Sequence, residues 1–383
     1  MYGGEPHLLL DATAVPADRG GVGRYVDSLL TALDRDGARV SVACQPRDAA
    51  LYSRIAPGAR VVPAAETIAT RTARLTWEQT TLPRLVRRLG ADVLHSPHYT
   101  TPLANPAASV VTLHDATFFT DPGLHSPVKA RFFRAWTRAA LRRATVCAVP
   151  SEATAAELAR RAGADRGAMH VMYHGVDPDH FHPPAPEEVR AVRNRLGLRD
   201  QPYVAFLGAL EPRKNVPALI EGFTRAARGR ADEPALVLAG QPGWDRRVER
   251  ALAAVPHRIR VIRAGYLAFD RLPGFLGGAR VVAYPSVGEG FGLPVLEAMA
   301  CGAAVLTTRR LSLPEVGGDA VAYCGIGPGD VATGLGRLLD DPARRSALSA
   351  AAQRRAKDFS WTACATRHRE AYGRAHHVHR RLR

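Results

Sequence analysis

Two glutamates eight positions apart, Glu289 and Glu297, are the residues of this chain best suited to bind a polar ligand. A glycine-rich turn separates them and opens a predicted helix, with Pro294 in the first turn, where a missing N–H is tolerated. The free amides of Gly292 and Leu293 would then lie at a positive helix end that favours phosphate. One carboxylate can accept two hydrogen bonds from a vicinal diol. The segment thus offers one carboxylate for a diol, then a helix start for a phosphate, then a second carboxylate for another diol. This order predicts a site for a nucleotide-sugar.

The segment 284–301 resembles the E-x7-E motif of the retaining glycosyltransferases of family 4. The resemblance implies that Glu289 holds hydroxyls of a donor sugar and that Glu297 holds the ribose of its nucleotide. The further substrate-binding residues expected in this half of the chain are Gly290, Phe291, Gly292, Leu293 and Tyr266. A buried strand, a turn and a helix with two solvated glutamates is the alternative, because an isolated pair with this spacing is common by chance.

Two adjacent cations, Arg213 and Lys214, follow the first strand predicted in the second half. They resemble the family's Arg-Lys-Asn segment, whose cations grip the diphosphate. Departure of a nucleoside diphosphate builds negative charge, which fixed cations stabilise without a metal ion. Arginine supplies a planar fork and lysine a point charge. The alternative is a capped helix start with charges that face solvent.

Gly20, Gly21 and Gly23 follow the first predicted strand. They resemble the N-terminal glycine loop of GT-B enzymes, whose backbone approaches the donor phosphate from the opposite domain. A Cβ would block that approach, so glycine is needed. A dinucleotide fingerprint starting at Gly21 would require glycine in place of Val26. A plain tight turn remains the other interpretation.

A histidine at the end of another predicted strand, His114, corresponds to one that in the family lies beside the donor sugar near its anomeric carbon. The alternative is a structural histidine whose ring is hydrogen-bonded inside an interface between domains. The next residue, Asp115, is expected to bind substrate or to orient the loop. The turn 173–177 resembles the family's Asn-Gly-Val-Asp turn with His174 in place of asparagine, so no role is assigned to that side chain.

Short apolar strands alternate with helical patterns, which indicates parallel sheets with helices on both faces. Ligands of such sheets bind beyond the carboxyl ends of the strands, and every motif above follows a strand. A helix is predicted near 23–33, and another after Ser151, a residue type that caps helices. The strands are predicted at 8–11, 40–44, 92–95, 109–114, 145–150, 203–207, 235–239, 259–262, 281–283 and 304–307.

A proline-rich stretch at 182–186 breaks this alternation. We therefore expect an N-terminal, acceptor-side domain at 1–182, a linker at 183–200 and a C-terminal, nucleotide-sugar-binding domain at 201–358. The segment 359–375 resembles the terminal helix of the family, which packs back on the first domain. The resemblance implies an α/β architecture of the GT-B fold, with two Rossmann-like, doubly wound parallel-sheet domains facing across a cleft.

The chain has 383 residues, 46% of them hydrophobic, which is enough for two domains with sizeable cores. No apolar run reaches the length of a membrane-spanning helix, and the N-terminus has no signal-peptide pattern. Five dispersed cysteines fit a reducing cytosol and not a disulfide framework or a zinc site. We expect a cytoplasmic protein.

The net charge of +16 favours polyanionic partners. The segment 127–143 mixes basic and aromatic residues, so it could touch an anionic membrane from the cytoplasmic side, or be core on one face and solvated on the other. No nucleic-acid-binding module is recognisable, and we expect no nucleic-acid partner. The segments 76–79 and 95–99 resemble a bacterial subgroup that includes mannosyltransferases for surface polysaccharides.

The resemblance covers about the whole chain and implies a retaining hexosyltransferase without cofactor or metal ion. The expected donor is GDP-mannose, and the acceptor is a sugar, a lipid-linked sugar or a small molecule. No carboxylate presents itself as a covalent nucleophile, so the family's front-face mechanism is implied. A synthase or phosphorylase of a soluble sugar is one alternative, and a nucleic-acid-binding protein is a distant one. The residues expected to be catalytic are His114, Arg213, Lys214 and Glu289.

Overall fold

Two parallel β-sheets organise residues 5–382, the part of the chain that the computed structural model describes. They belong to separate units. One unit runs to Gly175 and takes in the chain again from Ser360, and the other is Val176–Phe359. The predicted fold class, two α/β domains with parallel sheets, is confirmed.

The first unit has a seven-stranded sheet in the order β3-β2-β1-β4-β5-β6-β7. The chain runs outward from β1 in one direction through β2 and β3, and in the other from β4 to β7. The carboxyl ends of β1 and β4 therefore flank the point where a ligand is expected. The strands are β1 (Leu8–Asp11), β2 (Val40–Cys44), β3 (Arg60–Pro63), β4 (Val93–Ser96), β5 (Ala108–Thr112), β6 (Val146–Val149) and β7 (Met169–Val171).

Eight helices belong to this unit among the described residues, and the last of them comes from the far end of the chain. It packs against α1 and β5, and its buried residues Cys364, Ala371 and Tyr372 join the same core as the strands. The helices are α1 (Gly20–Arg35), α2 (Ala49–Ile55), α3 (Arg71–Thr80), α4 (Leu82–Leu89), α5 (Thr117–Thr120), α6 (Pro127–Arg143), α7 (Glu152–Ala162) and α16 (Trp361–Arg381).

The second unit has a six-stranded sheet in the order β10-β9-β8-β11-β12-β13. The strands are β8 (Tyr203–Leu207), β9 (Ala235–Ala239), β10 (Val261–Gly265), β11 (Val281–Tyr284), β12 (Val305–Thr308) and β13 (Ala322–Cys324). The helices are α8 (Pro186–Arg195), α9 (Val216–Ala227), α10 (Arg247–Ala253), α11 (Leu272–Gly277), α12 (Leu293–Ala300), α13 (Leu313–Gly317), α14 (Pro328–Asp340) and α15 (Pro342–Ala356).

Three strands, β3, β7 and β13, were not predicted, and all three lie at sheet edges. Most of their residues are partly buried or exposed, whereas every residue of β8 and β9 is buried. A central parallel strand is covered on both faces and shows as a continuous apolar run. An edge strand lacks this continuous apolar run, so its three or four residues could not be distinguished from a loop.

The predicted linker at 183–200 differs from the observed division, which falls after Gly175. These residues belong to the second unit, where α8 packs on α11. A Cβ added to Gly277 would lie 2.3 Å from Pro184 Cδ, and one on Gly274 would lie 2.7 Å from the Glu188 carbonyl oxygen. The proline-rich stretch is thus held closely against α11, a contact that proline content alone does not reveal.

Candidate functional site

The carboxyl ends of β8 and β11 are neighbours in the second sheet, and they carry the predicted phosphate and sugar residues. A short turn, Pro212–Lys214, follows β8, and the loop that contains Glu289 follows β11. The two are tied together because Val287 N–H donates to the Arg213 carbonyl at 2.9 Å. Asn215 adds a side-chain bond to the Pro285 carbonyl at 3.2 Å. Residues 75 positions apart in sequence thereby form one site.

The carboxylate of Glu289 is the centre of this cluster. Its Oε1 accepts from Lys214 Nζ at 2.8 Å, from Ser286 Oγ at 2.7 Å and from the Tyr284 hydroxyl at 3.0 Å. Its Oε2 accepts from the guanidinium of Arg213, which also donates to the Gly288 carbonyl at 3.1 Å. The structure thus brings together three of the four residues predicted to be catalytic.

The cluster combines two cations with two carboxylates, because Glu211 lies 3.8 Å from the Arg213 guanidinium. Glu289 and Lys214 are buried, with exposures of 6% and 8%. Burial acts to raise the pKa of Glu289, but Arg213 and Lys214 outweigh it and hold that pKa at about 2. Burial and the neighbouring Arg213 lower the pKa of Lys214, and Glu289 only partly offsets them. Arg213 and Lys214 are adjacent cations, and an anion such as a phosphate that binds beside them would be stabilised.

The crowding of Oε1 limits how Glu289 can bind a sugar. A carboxylate oxygen offers about two lone-pair positions, and Oε1 already has three donors. Oε2 has Arg213 as its donor. A hydroxyl of a bound sugar therefore has room at Oε2 and not at Oε1. The prediction from sequence treated the whole carboxylate as available.

The glycine-rich turn between the two glutamates is fixed by its neighbours. Gly292 precedes α12 with a φ of 104°, and a Cβ there would lie 2.9 Å from Leu313 Cδ2, so no other residue fits without strain. Ser312 Oγ lies 2.9 Å from the carbonyl oxygens of both Glu289 and Phe291, which share its one proton. The Phe291 ring packs edge-on against Phe359 at 5.8 Å. Ser312 and Phe359 therefore hold this turn in place, and Gly290 and the buried Leu293 lie in the same turn.

Glu297 lies in the second turn of α12 and is 2% exposed. The negative charge of Glu297 acts on His180. Burial lowers the pKa of His180, and Glu297 is among the groups that partly raise it again. The His180 ring stacks on Phe269 at 3.7 Å. Tyr266 follows β10, two strands away from β8, and its side chain is 61% exposed. The structure does not bring Tyr266 into the Glu289 cluster.

Four side chains of this unit interact with the predicted residues and were not predicted themselves: Tyr284, Ser286 and Ser312 by hydrogen bonds, and His180 through the charge of Glu297. Two of them lie inside the motif segment 284–301. Their polar character on the last position of a buried strand and just beyond it is the signal that could have identified them. Ser312 and His180 have no such signal, because only the folded chain brings them near.

The three glycines of the first unit form the first turn of α1. The helix begins at Gly20, so the prediction of a helix from residue 23 after a separate turn is wrong. Arg19 causes the early start: its φ is 54°, and its side chain donates to Asp27 and Asp48. A Cβ on Gly23 would lie 2.8 Å from Arg19 Cβ.

Gly20 and Gly21 have a different environment from Gly23. A Cβ on either would meet no heavy atom within 4 Å. Gly20 has a φ of +51°, which favours glycine, and Gly21 has open space beside its backbone. The first-turn amides of a helix have no partners within the helix. Here the Gly20 and Gly23 amides donate to the carbonyls of Asp18 and Arg19, at 2.6 and 2.7 Å. The absence of a Cβ, on which the predicted phosphate contact depends, leaves open space at Gly20 and Gly21.

His114 is held in one tautomer. Its Nε2 lies 2.6 Å from the Pro97 carbonyl oxygen, which can only accept, so the proton is on Nε2 and the lone pair on Nδ1. Burial lowers the pKa of His114, which keeps the ring neutral at pH 7. His114 can therefore accept a hydrogen bond from a ligand hydroxyl through Nδ1. Asp115 Oδ1 accepts from Thr117 N and Oγ1 at 2.9 and 2.7 Å, so this carboxylate orients the loop.

A continuous chain of buried hydrogen bonds runs beside His114. His368 Nδ1 lies 2.8 Å from the Cys364 carbonyl and must donate to it, so Nε2 accepts from the Tyr25 hydroxyl at 2.8 Å. Tyr25 then accepts from Thr112 at 2.9 Å, and Thr112 accepts from His95 Nε2 at 2.8 Å. His95 Nδ1 is left to accept from Tyr372 at 2.8 Å.

Each member of this chain is satisfied only while both histidines are neutral. The chain joins α1, β4 and β5 to α16. The Tyr25 ring also packs edge-on against His114 at 5.2 Å, and it lies 4.7 Å from the His174 ring with the planes tilted by 31°. The buried chain therefore both fixes α16 in the first unit and supports His114.

We expect the stability of the first unit to fall as the pH is lowered from 7 to 4. Burial lowers the pKa of His95 and His174 far below the usual value, and that of His368 to about 4. At pH values between 6.5 and these lowered pKa values, the histidines bind protons in the unfolded chain but not in the folded chain. Each such histidine then lowers the free energy of unfolding by up to about 1.4 kcal/mol for every unit by which the pH falls. Urea unfolding followed by circular dichroism at several pH values measures this slope.

The matched control compares H368Q with H257Q, because His257 is exposed in the second unit. H368Q should reduce the slope of the unfolding free energy against pH by the contribution of about one bound proton, and H257Q should leave this slope unchanged. Buried carboxyls act in the opposite direction, since burial raises the pKa of Asp11, Asp27 and Glu78. A slope equal in wild type and H368Q would show that His368 is not held neutral.

The described residues contain neither a membrane span nor a metal cluster. None of the helices in 5–382 is both long enough and apolar enough to cross a bilayer. Within that same range, no three side chains of His, Cys, Asp or Glu are grouped so that they could hold a metal ion. The five cysteines are free.

Two family profiles match successive parts of the chain. The profile of Glycosyltransferase Family 4 matches residues 19–180, and that of Glycosyl transferases group 1 matches residues 188–355. Among curated proteins, O-antigen chain mannosyltransferase B of Escherichia coli is 31% identical over 284 residues, which are 73% of this chain and 74% of that protein. D-inositol 3-phosphate glycosyltransferase of Salinispora tropica is 36% identical over 59% of this chain, and the match spans 50% of its length.

Solved structures agree with the chain over nearly its whole length. Anabaena Alr3699/HepE in complex with UDP-glucose superposes with a TM-score of 0.77 at 17% identity, covering 96% of this chain and 99% of that one. Sucrose-phosphate synthase from Thermosynechococcus elongatus superposes with a TM-score of 0.78 at 20% identity, covering 96% and 98%. At these identities the likeness shows the fold.

Proposed function

Since the chain belongs to the group 1 glycosyltransferases of family 4 and has the GT-B fold, we propose that it moves a hexose from a nucleoside-diphosphate sugar to an acceptor hydroxyl. One observation carries the choice of donor. Arg213 and Lys214 lie together at the carboxyl end of the second sheet, where two fixed cations can stabilise a diphosphate. The first turn of α12 follows the loop that contains Glu289, and its backbone N–H groups form a second anion-binding element.

The proposed sugar is mannose, and the proposed donor is GDP-mannose. Support comes from the name of the Escherichia coli relative, a mannosyltransferase of O-antigen chains. The inositol 3-phosphate glycosyltransferases are similarly identical over a shorter stretch, so the sugar is the less constrained part of the proposal. The proposed acceptor belongs to polysaccharide, glycolipid or glycosylated natural-product synthesis.

The proposed reaction retains the anomeric configuration. The bond from the anomeric carbon to the phosphate oxygen breaks, the acceptor oxygen bonds to the same face, and its proton passes to the departing phosphate oxygen. Arg213 and Lys214 stabilise the charge on that phosphate, so no divalent cation is required. Glu289 offers Oε2 to a sugar hydroxyl. The charge and the proton are thus both accounted for by these groups and the diphosphate.

A nucleotide-sugar panel tests the donor. A donor that binds only the folded state raises the melting temperature, so GDP-mannose should raise it more than UDP-glucose does. Transfer from the best donor should proceed in EDTA, and NMR of the first-formed product should show the donor's own anomeric configuration. Activity lost in EDTA and restored by Mn²⁺, or an inverted product, would contradict the proposal. Activity with free glucose or sugar phosphates would favour a synthase or phosphorylase.

We also propose that the first unit binds anionic membranes reversibly. Arg84, Arg87 and Arg88 are exposed on α4, and exposed arginines lie on α6 beside half-buried aromatic rings. Charge of this kind is attracted to acidic lipid headgroups and is screened by salt. Trp77 packs beside the core of α4 and is not part of this surface.

Replacement of Arg87 and Arg88 by glutamine should weaken binding to anionic vesicles about thirtyfold at low salt. Each basic side chain near such a surface is worth about 1 kcal/mol. The control replaces Arg246 and Arg250, exposed arginines of the second unit, and changes the charge equally. Co-sedimentation with phosphatidylglycerol vesicles measures both. If wild type does not sediment at low ionic strength, a soluble acceptor is favoured.

A further inference from the structure

We propose that the hydroxyl of Tyr284 is a positioning group that aims the ammonium of Lys214 at the donor diphosphate. The proposal rests on the proposed function, because it assumes that Lys214 binds that diphosphate. Tyr284 is the last residue of β11 and is 1% exposed, a position that would otherwise suit an ordinary core residue.

The Tyr284 ring is fixed by its surroundings. It stacks on Phe206 of β8 at 5.9 Å with the planes 15° apart. Its own carbonyl accepts from Thr307 Oγ1 of β12 at 2.8 Å. Contacts with both neighbouring strands therefore hold the ring, and the hydroxyl at its tip has one position at the carboxyl edge of the sheet.

Donor and acceptor chemistry fixes the direction of the two bonds at this hydroxyl. An ammonium can only donate and a carboxylate can only accept. Lys214 Nζ therefore donates to the Tyr284 oxygen, and Tyr284 donates its proton to Glu289 Oε1 at 3.0 Å. Lys214 Nζ also donates to Oε1 directly, at 2.8 Å. The three groups form a closed triangle in which only the tyrosine both gives and receives.

This triangle determines where Lys214 points. The ammonium has three N–H groups, and two are used by Tyr284 and Glu289. In the part of the chain that the structure describes, the third has no hydrogen-bond partner. With two directions fixed, the third is fixed as well, and it is the one available to a phosphate oxygen. Without the hydroxyl, the ammonium could rotate about its bond to Glu289.

Tyr203 supplies the matched control. It is also fully buried, and its hydroxyl donates to the Phe275 carbonyl at 2.7 Å. It lies at the first position of β8, the opposite end of the sheet from the cluster. Y203F and Y284F each remove one buried hydroxyl, so both are expected to lower the melting temperature by similar amounts. Only Y284F should affect the chemistry.

We expect Y284F to lower kcat/KM for the donor about tenfold relative to Y203F. The alkaline limb of its pH–rate profile should also move to lower pH. The charged form of Lys214 loses an acceptor in this variant, so its pKa falls. In the Lys214→Ala background, Y284F should have no further effect, because the group it positions is gone. Tyr284→Met, which also lacks the hydroxyl, is the second variant if Y284F does not fold.

The outcomes separate this proposal from the proposed function. If wild type transfers sugar but Y284F matches Y203F in kcat/KM and pH profile, the positioning role is overturned and the function stands. If wild type transfers no sugar from any nucleotide donor, the proposed function fails. The same pair of variants is then compared by calorimetric binding of GDP. Equal affinities of Y284F and Y203F for GDP would overturn the positioning role independently.

Discussion

Replacing Lys214 with alanine is expected to lower kcat/KM at least a hundredfold while the protein stays folded. Loss of a fixed charge that stabilises a departing diphosphate costs about 3 kcal/mol in the transition state. The fold should persist because Glu289 keeps its bonds from Arg213, Tyr284 and Ser286. Steady-state kinetics with a nucleotide-sugar donor measures the first effect, and thermal unfolding measures the second.

Lys357→Ala is the control for this variant. Lys357 is the other lysine of the second unit, is exposed, and carries the same charge. Its removal should leave kcat/KM unchanged within about twofold, since an exposed charge far from the site is screened by salt. A folded Lys214→Ala enzyme with near-normal turnover would show that the cluster around Glu289 is structural and that the diphosphate binds elsewhere.

The central strands and the adjacent cations could be predicted from sequence because their signals are local. β8 and β9 are continuous apolar runs, and both were predicted to the residue. Arg213 and Lys214 lie in the loop after β8, so their place at the carboxyl end of that strand follows from the order of the sequence alone. What could not be predicted is which carboxylate oxygen of Glu289 is filled, because that depends on distances between separate loops.

The histidines illustrate the same limit. His114 was singled out because it follows a strand, yet its tautomer is set by the carbonyl of Pro97, 17 residues earlier. His95 and His368 are 273 positions apart, and they share one hydrogen-bond chain through Tyr25 and Thr112. Nothing in their spacing indicates this. A polar network of this kind becomes visible only when the terminal helix packs against the strands.

Glu297→Ala is expected to lower kcat/KM about a hundredfold, mainly by raising KM for the donor. A diol bonded to a carboxylate makes two charge-assisted hydrogen bonds, together worth about 3 kcal/mol. Glu297 is 2% exposed in α12, so no water can replace a lost partner freely. Glu221→Ala is the control, because Glu221 is exposed on α9 of the same unit. It should leave KM unchanged.

The decisive comparison uses a donor that lacks one ribose hydroxyl. If Glu297 holds the ribose, a 2′-deoxy donor should lose affinity for wild type about tenfold, since one of the two bonds is missing. The same donor should lose nothing further with Glu297→Ala, because the carboxylate that would sense the hydroxyl is absent. The two changes are then non-additive, as expected for groups in direct contact. Full additivity would mean that Glu297 stabilises α12 and that another group binds the ribose.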